Sequence, residues 1–102
     1  MIIKDDEKIK QALYQISKAI NCISQAVDLV GYTPEKSVEI ATLTRFGQIC
    51  YLTARIYRLH QIPLPHEHKK RLKKAVLLLK RIPGDANASA VRLQIDQFLK
   101  GL

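Results

Sequence analysis

Apolar residues stand at Ile9, Leu13, Ile16, Ile20, Ile23, Val27 and Val30, in alternating steps of four and three. A helix turns once every 3.6 residues, so these steps keep one apolar seam along one side. A seam that long and straight predicts a first helix that packs lengthwise on its neighbours. Asp5, Asp6 and Glu7 place negative charge at the positive end of its dipole, and Gly31 in "GYTP" suits a left-handed cap at the other end.

Thr33, Pro34 and Glu35 read as the N-cap, first helical residue and first-turn acid of a second helix that runs to His60. It carries two apolar stripes. Val38, Ala41, Ile49, Leu52, Ile56 and Leu59 form one; Leu43, Phe46, Cys50 and Tyr57 form the other, about 120° round the axis. A helix apolar on two sides is expected to sit between neighbours. Arg45 interrupts the first stripe, where an unpaired buried charge is costly, so snorkelling or an ion pair with Asp96 is expected to accommodate it.

Pro63 and Pro65 cannot continue this helix, but Pro65 can open a third, with Glu67 in its first turn and Leu72, Ala75, Val76 and Leu79 facing inward. The turn "IPGDAN" leads to a fourth helix, capped by Asn87 or Ser89 and seamed by Val91, Ile95, Phe98 and Leu102. The chain shows no strand alternation and no internal repeat. Two long and two shorter amphipathic helices predict an all-α fold, one antiparallel four-helix bundle domain spanning residues 1–102.

With 47% apolar and 25% charged residues, the 102-residue chain has the composition of a folded globule rather than a disordered tail. Its longest apolar run, Ala75 to Leu79, falls far short of the roughly 20 residues a membrane-spanning helix needs. "MIIKDDEKIK" lacks the basic start and apolar stretch of a secretory signal, so a cytoplasmic location is expected. If the first two helices fold back near residue 32, Cys22 and Cys50 lie about 12 Å apart along the axis, too far for a disulfide. Both are expected to be small buried apolar groups.

The net charge of +8 is unevenly distributed: residues 1–30 hold four cations and four anions, residues 31–102 thirteen and five. Such asymmetry suits an anionic partner. Seven cations, Lys69, Lys70, Arg71, Lys73, Lys74, Lys80 and Arg81, fall within thirteen residues that contain no acid. On a helical wheel Lys70, Lys73, Lys74 and Arg81 share an outer face with Leu77 among them, a docking stripe of cations around an apolar anchor. The competing view is a solvated face with an incidental leucine. Arg92 and Lys100 are secondary partner candidates. No aromatic side chain interleaves the run to stack bases, which disfavours nucleic acid except through phosphate contacts.

Three histidines crowd "RLHQIPLPHEHKK", Arg58 to Lys70. His60, His66 and His68 have no carboxylate set or Cys pair at ligand spacing beside them, so they are expected to be solvated residues of a helix corner, not metal ligands. Arg55 and His60 in "RIYRLH" meet the loose spacing of the HEPN helical ribonucleases, but lie about 140° apart on one helix. No Ser/His/Asp set, glycine-rich phosphate loop or carboxylate pair offers other chemistry; no catalytic residue, cofactor or metal is expected.

The stretch "LTRFGQICYLTARIYRLHQIPLPHEHKKRLKKAVLLL" resembles the central part of the bacteriocin immunity proteins of the enterocin A and carnobacteriocin type. Arg45, Tyr51, Leu52, Ile62, Pro63, Leu64 and Pro65 occupy the places of the pattern, and the resemblance extends over residues 38–80. It implies a cytosolic four-helix bundle that protects a producing bacterium from its own pore-forming peptide without doing chemistry. Its implied partner is the mannose phosphotransferase permease with bound bacteriocin, beside anionic lipid at the inner membrane face. Lys70, Lys73, Lys74, Leu77 and Arg81 are the expected contact residues. The alternatives are a small basic protein that binds nucleic acid or an acidic partner, and a HEPN-type ribonuclease.

Overall fold

A computed structural model describes residues 5–30 and 37–102. Among them four helices follow one another: α1 (Asp5–Val30), α2 (Ser37–Leu59), α3 (His66–Leu79) and α4 (Ala86–Lys100). The predicted cap at Gly31 and the predicted start at Thr33, Pro34 and Glu35 lie outside the described residues, as do the side chains of Asp5, Asp6 and Val30.

The helices alternate in direction. Arg71 and Lys74 of α3 meet Ser17, Asn21, Ser24 and Asp28 of α1 in the same order, so α1 and α3 run parallel. His68 meets Cys50 while Lys74 lies over Phe46, so α2 runs against α3. This is the expected all-α four-helix bundle, but its helices are not equivalent. α2 packs on all three others and α3 packs on α4, whereas at the backbone level α1 neighbours only α2.

The seam of α1 behaves as its spacing requires. Leu13, Ile20 and Val27 are buried, and Ile9, Ile16 and Ile23 are half-buried between them. In α2 the two stripes part company. Leu43, Phe46 and Cys50 are buried with Ala54, while Val38, Ala41, Leu52 and Leu59 of the other stripe face solvent and Ile49 and Ile56 are half-buried. Thus α2 sits among neighbours through one stripe, not two. Arg45, on the outward side, has no buried charge to neutralise. It donates to Gln48 Oε1 at 3.1 Å, and Asp96 pairs instead with Arg92 at 3.5 Å, so the expected Arg45–Asp96 pair does not form.

Gly47 explains how closely α2 approaches the α3–α4 pair. A Cβ there would stand 2.9 Å from Leu79 Cδ1 and 3.1 Å from Val91 Cγ1. The inward faces of α3 (Leu72, Ala75, Val76, Leu79) and α4 (Val91, Ile95, Phe98) are buried as predicted. Leu102 is not: it follows the last helical turn and is exposed. Cys50 lies in the core, but Cys22 is exposed, because position 22 falls between the seam positions 20 and 23 on the outer side of α1. Neither is in a disulfide.

The corner at 58–66 is a helix stop followed by a helix start. Ile62 N–H donates to the Tyr57 carbonyl at 2.9 Å and Gln61 N–H to the Arg58 carbonyl at 3.1 Å, closing the end of α2 with Gln61 at φ 54°. That place is usually glycine's, since a left-handed backbone costs other residues about 1–2 kcal/mol. Pro65, at φ −61° and ψ 144°, precedes the first turn of α3. α4 is capped by Asp85, whose carboxylate accepts from Ala88 N–H at 2.8 Å; Asn87 and Ser89, the expected caps, lie inside the helix.

Candidate functional site

The burial of one side of α3 sets the direction of the other. His68, Leu72, Ala75, Val76 and Leu79 face the core, so Lys70, Lys73 and Leu77 point away from it. Leu77 is 63% exposed, on a helix whose other leucines are all buried. Lys70, Lys73, Lys74, Leu77 and Arg81 line one shallow groove of about 580 Å³ together with Asp28 of α1 and Leu78. Five of the seven predicted contact residues therefore come together. Arg92 and Lys100 do not line the groove: Arg92 is half-buried beside Asp96, and Lys100 is in the last turn of α4.

Lys74, predicted to belong to the outer face, does not stand there. Its ammonium instead reaches Ser24 Oγ and Asp28 Oδ1, both at 2.9 Å, and lies 5.9 Å from the Phe46 ring. It forms the floor and side of the groove rather than its rim. Arg71 is turned the same way, donating to Asn21 Oδ1 at 2.8 Å and to Ser17 Oγ at 3.2 Å. Two members of the basic run are thus structural, tying α1 to α3 across a gap that the backbones do not close. Outward charge at the rim comes from Lys70, Lys73 and Arg81.

His68, expected to be solvated, is instead buried, with its ring 5.9 Å from that of Tyr57. Its Nε2–H donates to the Cys50 carbonyl at 2.8 Å, which leaves Nδ1 to accept from Arg71 Nη1 at 3.5 Å. Burial pushes its pKa below the ordinary 6.5, and the Arg71 guanidinium acts in the same sense against the bond to Cys50. Burial likewise pushes the Cys50 thiol up to about 12. A backbone carbonyl of α2, His68 and Arg71 of α3, and Ser17 and Asn21 of α1 thus form one polar chain across three helices.

The other two histidines, His60 and His66, are exposed at the corner. Among the described residues no three His, Cys, Asp or Glu side chains gather into a group that would hold a metal ion, and no helix is long and apolar enough to cross a membrane. Arg55 is also exposed and lies 5.9 Å from the Tyr51 ring.

The polar chain through His68 escaped sequence reasoning, although position 68 shares the spacing of Leu72, Ala75 and Leu79. A second surface was missed as well. Leu52, Arg55, Ile56, Arg58, Leu59 and Gln61 line a depression of about 660 Å³ on the outward side of α2. The signal for it was Arg45 within a stripe counted as core, with Arg55 at that stripe's edge. Comparison with known proteins finds no matching family model, curated protein or solved structure.

Proposed function

We propose that this protein is a binding protein that acts through the α3 groove, as an immunity factor against a pore-forming class II bacteriocin. The observation that carries the binding surface is Leu77, a solvated leucine with Lys70, Lys73 and Arg81 around it in one concavity. An apolar anchor ringed by cations suits a partner with an acidic rim around an apolar knob, and removing such an anchor from water is a main source of binding free energy. The immunity reading rests on the resemblance over residues 38–80, which includes all of α3. In it the partner is the permease with its bound bacteriocin, met from the cytoplasmic side, and no substrate is turned over.

The test is survival. A bacteriocin-sensitive strain expressing the chain is challenged with a panel of pediocin-like peptides. Protection against at least one peptide is expected, together with its loss in Leu77→Glu and Lys73→Glu at unchanged protein level. Uniform killing across the panel sinks the immunity reading. A steeply salt-dependent mobility shift of duplex or single-stranded nucleic acid, abolished by Lys73→Glu, would reassign the groove to phosphate contacts.

A further inference from the structure

The outward side of α2 carries a surface that the α3 groove does not explain. Val38, Leu52 and Leu59 are 73%, 54% and 77% exposed, and Ile56 is half-buried beside them. Leu52, Ile56 and Leu59 are spaced four and three apart, so they share one side of the helix over two turns. Arg45, Arg55 and Arg58 flank them, and residues 40–66 contain no Asp or Glu. Among the described residues neither Arg55 nor Arg58 is in an ion pair; Arg58 stacks 4.0 Å over the Phe98 ring.

Three kinds of occupant differ in what they ask of this face. A second copy would set the arginines of one α2 against those of the other. A packed partner helix would have to accept Arg45 within the seam and Arg55 at its edge, which takes guanidinium groups out of water. A fluid anionic surface requires neither. Leucines enter the acyl boundary there while arginine stems lie along it and their guanidinium groups rise to lipid phosphates. We propose that the outer face of α2 docks on an anionic bilayer surface, with Leu52, Ile56 and Leu59 inserted and Arg55 and Arg58 on the headgroup phosphates. α2 turns this face away from α3, so docking leaves the α3 groove open. The proposal does not depend on the immunity reading.

The purified full chain is floated with vesicles of phosphatidylcholine alone and of equal parts phosphatidylcholine and phosphatidylglycerol. Association with the mixed vesicles only is expected, weakening with salt. Arg55→Glu and Leu59→Glu should each lower the partition coefficient about fivefold or more, and Lys73→Glu, on the α3 side, less than about twofold. Circular dichroism checks that each variant keeps its helices, with Leu59→Ser as the milder substitution. No association with the mixed vesicles overturns the proposal. So does an equal effect of Arg55→Glu and Lys73→Glu, which would mean diffuse charge, or no effect of Leu59→Glu. Preference for poly-glutamate over the vesicles would assign the face to an acidic polypeptide. A dimer in sedimentation equilibrium that Leu59→Glu abolishes would assign it to a second copy.

Discussion

α1 and α2 are the two long helices, of 26 and 23 residues, and they are held in opposite ways. α2 touches every other helix and buries a stripe in which Phe46 and Cys50 have almost no contact with water. Among the described residues the backbone of α1 comes close to that of α2 alone, and Arg71 and Lys74 tie it to α3 through their side chains. α1 has the more regular apolar seam and still has the weaker hold. Regular spacing guarantees that a helix forms and lies down; the number of neighbours it meets decides how firmly.

The contrast can be broken most forcefully at Phe46. Phe46→Ala should cost about 3–5 kcal/mol and lower the urea midpoint of the whole molecule, since the cavity opens where α2 meets the rest of the core. A loss confined to α1 would contradict the central role of α2. Next in size is Arg71→Ala, which removes the bonds to Ser17 and Asn21 and should cost about 1–2 kcal/mol. Its signature is local: α1 amides should exchange faster while those of α2 and α4 keep their protection.

Acid attacks the same connection. His68 titrates below 6.5 when folded, so the unfolded chain takes up its proton first. The contribution of neutral His68 to stability is therefore present above about pH 6.5 and is lost as pH falls below it toward the folded value. Protonation also removes the lone pair at Nδ1 that accepts from Arg71. Urea midpoints measured between pH 8 and 5 should fall at the acid end, and His68→Gln should flatten that slope. The smallest effect belongs to Lys74→Ala. Its partner Asp28 is half exposed, so about 0.2–1 kcal/mol is expected, fading as salt rises.

The helices and most inward faces were legible in the sequence because each is a local periodicity. The seam of α1 and the faces of α3 and α4 follow from spacing alone. The two stripes of α2 could not be ranked that way. The outward one has more aliphatic residues, and its exposure follows from Arg45 within it and Arg55 at its edge, and from Gly47 and Ala54 thinning the other side enough for helices to approach. Small residues carry little hydrophobic signal, yet they decide where two helices can meet. Of the candidate groove, the rim was legible and the floor was not. Which lysine reaches across to α1 depends on where Ser24 and Asp28 stand in space, and no wheel drawn for α3 alone contains them.

The unequal surroundings of the two cysteines offer a practical handle on the loosely tied helix. Cys22 sits in water on α1, while Cys50 is enclosed and burial pushes its thiol up to about 12. A maleimide dye or spin label added to the native protein should couple at one thiol per molecule, with no engineered site. The reporter then rides on α1 itself, where its mobility would register the acid loosening of the tie through Arg71.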